Sequence, residues 1–153
     1  MIPLRGVAEI AGRLELAGAG SILLVEAPPE LEAVVAGTLG EGQSLRTIEG
    51  RAIRTVKDLF DLVLVWQESR VGSQAVLEAA VKRLAPGGSL WVATALRKVS
   101  GPKTPAVHRL ALADLEKAFG GRGLSRDREA RLSAWHVAYR FGRRDERRNP
   151  VEV

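Results

Sequence analysis

The sequence predicts a three-layer α/β domain whose sheet is mostly parallel and ends in an antiparallel hairpin. Three observations predict it. Short apolar runs alternate with amphipathic helical segments along residues 4–119. Within them, residues 60–66 read FDLVLVW, an apolar run typical of a strand that is covered on both faces. Residues 124–132 and 134–141 alternate in polarity instead, which predicts two antiparallel strands at the end of the domain.

Length and composition fit one globular domain. The chain has 153 residues, of which 46% are hydrophobic and 27% charged, and a chain of this size buries roughly 70% of its unfolded surface. We expect residues 1–142 to form the domain and residues 143–153 to form a charged tail. The absence of cysteine excludes disulfides, zinc–thiolate sites and thiol nucleophiles.

We expect the protein to be cytoplasmic. The first residues lack the charged and apolar regions of a signal peptide. No apolar run approaches the ~18 residues of a membrane span, so we expect no membrane association. No partner is indicated by the sequence, and assembly into a homo-oligomer stays open.

The first third of the chain predicts a helix, a strand and a second helix. Residues 4–17 carry apolar side chains at helical spacing, and the apolar run 21–26 predicts a buried strand. Pro28-Pro29 ends that strand and can begin the helix that continues to Leu39, because proline is tolerated in a first helical turn.

Residues 44–49 and 51–56 are two short strand-like runs. Only Gly50 separates them, whereas a crossover between parallel neighbours needs a dozen or more residues. We therefore predict a tight hairpin or one bent strand here.

After the strand at 60–66, the pattern predicts three further elements and one loop. Residues 76–84 have the apolar spacing of a helix that ends at Pro86-Gly87-Gly88, and residues 90–95 form another buried strand. A helix follows over 112–119. The basic segment 97–108 has no periodicity, and loops of this length are typically functional or disordered.

The segment from Phe60 to Thr94 has a more specific pattern. It reads FDLVLVW, then LEAAVKRLAPGG, then SLWVAT. It resembles the fourth strand, the following helix and the fifth strand of class I S-adenosylmethionine-dependent methyltransferases, in which that helix ends in a leucine, a proline and two glycines. Leu84 and Pro86-Gly87-Gly88 match this signature.

The resemblance covers residues 58–142 well and residues 21–50 loosely. It implies a shortened, Rossmann-like methyltransferase fold with an antiparallel last strand. The chain is also similar to a small group of bacterial proteins built on such a shortened domain, which supplies no functional residues to carry over.

The turn after the first strand departs from the family's pattern. In the enzymes a glycine-rich turn lets backbone amides and a helix N-terminus approach the cofactor. Here residues 26–30 read Glu-Ala-Pro-Pro-Glu, so the glycines are missing and two prolines remove two amide donors. Glu49 matches the acidic residue that holds the ribose, or is an exposed glutamate at a hairpin end. The sequence thus allows S-adenosylmethionine but disfavours it, with Ala27, Pro28 and Glu49 at the rim of the site.

A second candidate pocket follows the central strand. Trp66, Gln67 and Glu68 stand at its carboxyl end, where open α/β sheets bind ligands. Trp66 offers a stacking face and Glu68 a proton donor or acceptor. The alternative is structural: Trp66 packs under the loop 97–108, and Glu68 caps a helix.

The remaining chemistry-bearing residues predict neither a catalytic residue nor a metal ligand. His136 lies within a predicted strand and is interpreted as structural, while His108 could reach the pocket rim. Two histidines without metal-ligand spacing indicate no metal site. No G-x-S-x-G turn exposes a serine nucleophile.

Positive charge is concentrated in the last third of the chain. Residues 97–153 carry 14 basic and 7 acidic side chains, a net charge of +7, whereas residues 1–96 carry −2. Such a segment can attract nucleic acid, and the best-placed residues are Arg97, Lys98, Lys103, Arg143 and Arg144. Aromatic residues are thinly interleaved with these cations, which favours a solvated basic face instead.

These observations favour a non-catalytic methyltransferase-like domain that acts through binding or assembly. Two alternatives stay open. One is a small S-adenosylmethionine-dependent methyltransferase with a diverged cofactor loop, and the other is a basic module associated with nucleic acid.

Overall fold

The computed structural model describes residues 2–143, which form a six-stranded sheet with helices on both faces. The strands are β1 (Ser21–Val25), β2 (Ser44–Ile48), β3 (Phe60–Trp66), β4 (Leu84–Ala95), β5 (Leu124–Arg131) and β6 (His136–Arg143). The α-helices are α1 (Val7–Arg13), α2 (Pro29–Thr38), α3 (Ser73–Val81) and α4 (Leu112–Gly120). Short 3-10 helices span Leu16–Gly18, Gly50–Thr55 and Ala106–His108.

The strand order is β2-β1-β3-β4-β6-β5. The pairs among β1 to β4 are parallel, and β6 is antiparallel to both β4 and β5. The predicted mixed sheet, mostly parallel with an antiparallel hairpin at its end, is confirmed. Because Ala95 pairs with His136, the start of β6 lies beside the carboxyl ends of β1, β3 and β4. We call this side of the sheet the carboxyl edge.

Both faces of the central strands are buried, which explains their unbroken apolar runs. In β1, Ile22 and Leu24 pack toward α1 and α2, whereas Leu23 and Val25 pack toward α3 and α4. Successive side chains of a strand point to opposite faces, so a strand between two helical layers needs apolar residues at every position.

The predicted hairpin or bent strand over residues 44–56 is wrong. Residues 44–48 form β2, which is parallel to β1, and the required crossover is the preceding segment that contains α2. Residues 50–55 form a 3-10 helix. Ile53 and Val56 are both buried, and their spacing of three residues fits a helical turn better than a strand.

The predicted helix over residues 4–17 is shorter in the structure. Glu15 takes the left-handed conformation with φ 60°, which separates α1 from the 3-10 helix at Leu16–Gly18. The apolar periodicity continues through this break, because Leu14 and Leu16 are both buried. Periodicity alone therefore overestimates the length of the helix.

The Leu-Pro-Gly-Gly signature forms the irregular start of β4, which begins at Leu84 and not at the predicted residue 90. Leu84 pairs with Phe60, and regular pairing resumes only at Ser89. Gly87 has φ 79°, and a Cβ on Gly88 would lie 2.9 Å from the Ala85 carbonyl oxygen. Both glycines are thus required at this turn.

In the part of the chain that the structure describes, no helix combines the length and apolar character that crossing a bilayer requires. The charged tail predicted for residues 143–153 lies outside the described residues from Arg144 onward.

Candidate functional site at the carboxyl edge

The carboxyl edge holds a cleft of about 450 Å³ between the segment after β2 and the segment after β3. Its walls include Trp66, Gln67 and Glu68, together with Glu26 and Thr104. The three residues predicted after the central strand therefore share one cleft.

The other three predicted rim residues lie beside this cleft. Ala27 and Glu49 line a smaller cavity of about 260 Å³, which meets the cleft at Glu26. Pro28 is the N-cap of α2. The Glu49 carboxylate is exposed and lies 2.8 Å from Arg51 Nε.

Glu26 ties the ends of β1 and β2 together. Its backbone is left-handed, with φ 59°, a conformation that costs a non-glycine residue roughly 1–2 kcal/mol. The Gly50 N–H donates to its carboxylate at 2.6 Å. A Cβ on Gly50 would lie 3.3 Å from Glu26 Cγ and 3.5 Å from Val76 Cγ2, so the absence of a side chain at position 50 permits this approach.

Carboxylates occupy the N-terminus of α2. Pro28 and Pro29 lack amide hydrogens, and Glu30 and Glu32 stand in the first turn. The Ile2 N–H donates to the Glu30 carboxylate at 2.9 Å, and this hydrogen bond is the main cause that lowers the pKa of Glu30. An anionic group approaching this turn would meet negative charge where a glycine-rich turn offers free amides.

On the other side of the cleft, Glu68 is hydrogen-bonded to a fully buried histidine. His136 Nε2 lies 2.6 Å from Glu68 Oε2, and Thr104 Oγ1 donates to Glu68 Oε1 at 3.0 Å. The hydrogen bond with His136 is the largest cause of a lowered pKa at Glu68, and burial opposes it. Both oxygens of this carboxylate are therefore held in place.

The opposite ring nitrogen of His136 contacts Ser133. Ser133 Oγ lies 3.1 Å from Nδ1 and accepts the Trp135 N–H at 2.9 Å. A hydroxyl that already accepts one hydrogen bond can use its own hydrogen to donate to Nδ1. This arrangement suits the tautomer that carries its hydrogen on Nε2 and donates it to Glu68.

Trp66 and Glu68 make contacts that the sequence did not predict. The rings of Trp66 and His136 are tilted with centroids 4.5 Å apart. Glu68 bonds side chains of the loop 97–108 and of β6, so the predicted helix cap is wrong. His136 is fully buried and has a partner on each ring nitrogen, and its structural interpretation stays a prediction. Its pairing with Glu68, 68 residues away, follows from the sheet order alone.

Arg109 organises the loop 97–108 and was missed by the sequence reading. Its side chain is only 6% exposed, and its guanidinium donates to the carbonyl oxygens of Leu96 at 2.7 Å, Val99 at 2.6 Å and Thr104 at 2.9 Å. In one sequence, nothing distinguishes this arginine from the exposed ones. The loop is also held by Gly101, where a Cβ would come within 1.9 Å of the Trp135 ring.

The five predicted cationic residues do not share one surface among the described residues. Arg97, Lys98 and Lys103 are exposed on the loop at the carboxyl edge. Arg143 ends β6, and β6 runs antiparallel to β4, so Arg143 lies at the opposite edge of the sheet. Arg144 lies outside the described residues. Nucleic-acid binding by this set stays a prediction.

Comparison with known proteins identifies the fold. No family model matches the chain, and no curated protein matches it in sequence. The mitomycin 7-O-methyltransferase MmcR superposes with a TM-score of 0.69 at 14% identity, over 90% of this chain and 52% of that one. A putative type 11 methyltransferase from Sulfolobus solfataricus gives a TM-score of 0.59 at 13% identity, over 92% of both chains.

A third similar structure contains a cofactor product. Magnesium protoporphyrin IX methyltransferase (ChlM) from Synechocystis PCC 6803, with bound SAH, gives a TM-score of 0.60 at 12% identity, over 90% of this chain and 81% of that one. The chain spans about half the length of MmcR. Its fold is a shortened, Rossmann-like domain of the class I S-adenosylmethionine-dependent methyltransferase type, as the resemblance implied.

The residues of the carboxyl edge fit such a cofactor only in part. The cleft has the volume of a small-molecule site. The turn after β1, however, lacks amide hydrogens at Pro28 and Pro29, and Glu30 and Glu32 occupy the helix N-terminus. This turn therefore offers no amide from Pro28 or Pro29 and places negative charge where an anionic group would approach the helix.

Proposed function

We propose that the chain is a ligand-binding domain that takes a small polar molecule at the carboxyl edge and does not transfer a methyl group. One observation carries this proposal: Glu26 and Glu68 line the same cleft, and the carboxylate of each is hydrogen-bonded to another part of the chain. Glu26 is bonded to Gly50 just after β2, and Glu68 to Thr104 of the loop 97–108 and to His136 of β6.

Fixed carboxylates favour ligands that carry hydrogen-bond donors. Because Glu26 is bonded to Gly50, and Glu68 to Thr104 and His136, little side-chain entropy remains to be lost when a ligand binds. Trp66 also lines the cleft, although its indole is only 8% exposed and packs against His136, so it adds a limited aromatic surface. The ligand class is thus a small molecule with hydroxyl or amino groups and a flat or apolar part.

The turn after β1 argues against a methyl-transfer role. Any anionic part of S-adenosylmethionine that approached this turn would meet Glu30 and Glu32. Like charges in contact weaken binding, and Pro28 and Pro29 offer no amide hydrogen to offset this.

The second candidate is a small methyltransferase with a diverged cofactor loop. Structurally similar methyltransferases, among them ChlM, contain bound SAH, and the cleft of this chain lies where open α/β sheets place ligands. S-adenosylmethionine and SAH are consequently the first compounds to test.

Thermal unfolding with added ligand separates the two candidates. A ligand at 100 times its dissociation constant adds about 2.7 kcal/mol of stability, which raises the melting temperature of a domain this size by roughly 4 °C or more. We expect no such rise with S-adenosylmethionine or SAH at 1 mM, on the order of a hundred times a 10 μM dissociation constant. A rise of that size, lost in Glu68→Gln, would establish the second candidate.

A fragment screen by amide chemical shifts tests the proposal itself. We expect hits with hydroxyl or amino groups to shift the amides of Gly50, Gly72 and Thr104, which line the cleft, and to lose affinity in Glu68→Gln. Lys82→Gln, an exposed cation on the helical layer, is the matched control. If every hit maps outside the cleft, the proposal is wrong.

A further inference from the structure

A larger cavity, of about 730 Å³, lies between α3 and α4. In the described part of the chain, the residues that line it are distinct from those that line the carboxyl-edge cleft. Leu77 of α3, Phe119 of α4 and Leu110, which precedes α4, form its apolar floor. This groove takes no part in the function proposed above.

The floor is backed by the hydrophobic core and is therefore rigid. Leu77, Leu110 and Phe119 are each at most 3% exposed and belong to the cluster on the α3 and α4 face of the sheet. Phe119 is further fixed by the Phe141 ring, with centroids 4.7 Å apart. Ala118, by contrast, is an exposed residue of the wall and has only a methyl side chain. The groove is open because this wall position is small.

The acidic side chains of the groove already have partners. Glu78 accepts from the Arg122 guanidinium at 2.8 Å, an ion pair that joins α3 to the residues just after α4. Asp114 accepts the Ala111 N–H at 2.9 Å at the start of α4. Glu78 is paired with a cation, whereas Asp114 bonds a neutral amide and keeps its charge, so the three basic and two acidic side chains that line the groove leave a net charge of +1.

Two cations of the groove lack an acidic partner. Arg70, just before α3, and Lys117, on α4, both line the groove and are exposed. Neither forms an ion pair within 4.0 Å with any residue in the described range 2–143. Beside an apolar floor, such cations favour an anion whose remaining surface is apolar.

We infer that this groove binds a small amphipathic carboxylate, with its apolar body on Leu77 and Phe119 and its carboxylate between Arg70 and Lys117. Charge complementarity selects the head group, because the two free cations line the same groove. The apolar floor selects the body, since burying apolar ligand surface there removes it from water. A neutral or cationic molecule with the same apolar body would gain only from the burial of its apolar surface, and not from the two cations.

Calorimetric titration of the whole chain with decanoate tests the inference. Decanol and decylamine serve as neutral and cationic probes with the same apolar chain. We expect decanoate to bind most tightly. Arg70→Gln and Lys117→Gln should each weaken it roughly three- to fivefold, the effect of removing one partly exposed ion pair. Lys103→Gln, an exposed cation outside the groove, should leave the affinity unchanged.

Ala118→Trp tests the groove without altering its charge. The substitution is at an exposed wall position, so the domain should keep its melting temperature while decanoate binding is lost. If decanoate binds no better than decanol and decylamine, or if Ala118→Trp and both charge variants bind it normally, the inference is wrong. Sedimentation of the parent and the same variants tests whether a second copy of the chain occupies the groove. If the parent is a dimer that does not bind decanoate, and Ala118→Trp makes it a monomer, the groove is a contact between copies and the inference is wrong.

Discussion

The two halves of the carboxyl edge differ in how their polar groups are held. On the β1–β2 side, Glu26 and Glu49 are exposed; Glu26 accepts one backbone N–H, from Gly50 just after β2, and Glu49 pairs with the exposed Arg51. On the β3–β4–β6 side, Glu68, His136 and Arg109 form bonds that join β3, β6 and the loop 97–108. The first half is a local surface arrangement, and the second is part of the folded core.

This difference bears on which half would hold the proposed ligand. In the methyltransferase pattern the β1 turn approaches the cofactor, and here prolines and glutamates replace its glycines. Buried polar networks are costly unless every member is bonded. Both carboxylate oxygens of Glu68 are hydrogen-bonded, and Arg109 is buried with its guanidinium bonded to backbone carbonyl oxygens. The second half is therefore held by more hydrogen bonds than the first. The comparison predicts that substitutions there cost more stability than substitutions in the first half.

The largest effect is expected at Arg109. Arg109→Ala removes the donor shared by the carbonyl oxygens of Leu96, Val99 and Thr104, and each buried polar group left without a partner costs about 1–3 kcal/mol. We expect a loss of about 3 kcal/mol in the free energy of unfolding, measured by urea denaturation. Arg97→Ala, at an exposed position of the same loop, is the control. Equal losses for the two variants would show that the loop does not depend on the guanidinium.

Glu68→Gln should have the next largest effect. A hydrogen bond to a charged group contributes about 1.5–3 kcal/mol, and we expect a loss of about 2 kcal/mol at pH 7, since Gln keeps the acceptor for Thr104. The folded pKa of Glu68 is lowered from its ordinary value of 4.5, chiefly by the hydrogen bond with His136. The stabilisation is therefore fully present above the unfolded pKa and is lost as the pH falls through the folded pKa.

The difference in unfolding free energy between the parent and Glu68→Gln should accordingly shrink below about pH 4.5. Urea denaturation at several pH values measures it. A difference that stays constant down to pH 3 would mean that the charge of Glu68 contributes nothing to stability.

Features of the fold and of the candidate site could be predicted from the sequence where the interacting residues are close together in the chain, and not where they are far apart. The runs at β1 and β3 and the polarity alternation of β5 and β6 are local, and each predicted its element. The signature at Gly87-Gly88 predicted a turn, but the helix before it already ends at Val81 and the signature lies within the start of β4. The pairing of Glu68 with His136 requires β6 to lie beside β4, and a pattern within either segment does not specify this. The error over residues 44–56 has the same origin, because the partner of β2 is β1 and not its neighbour in sequence.

Glu26 tests the β1–β2 half through its backbone conformation. Glu26→Ala loses the hydrogen bond to Gly50 and keeps a left-handed residue at φ 59°, so we expect a loss of about 1 kcal/mol. Glu26→Gly loses the same bond but relieves the backbone strain, and it should be more stable than the alanine variant by roughly 1 kcal/mol. Thermal unfolding of the pair measures the gap. If the alanine variant is as stable as the glycine variant, the left-handed backbone at position 26 costs no measurable free energy.

The smallest effect is expected at Glu49. Its carboxylate is 65% exposed and pairs at 2.8 Å with Arg51, which is itself 87% exposed. Exposed ion pairs contribute about 0–1 kcal/mol because water solvates both charges and long side chains must be ordered to meet. Glu49→Gln should therefore change the unfolding free energy by less than about 0.5 kcal/mol. The same variant sharpens the contrast between the two halves, because the family resemblance would put Glu49 at the position that holds the ribose in the enzymes. Unchanged affinity for the fragments that bind at Glu68 would leave the β3–β4–β6 half as the binding site, whereas a tenfold loss in Glu49→Gln would extend the site across β1 to the end of β2.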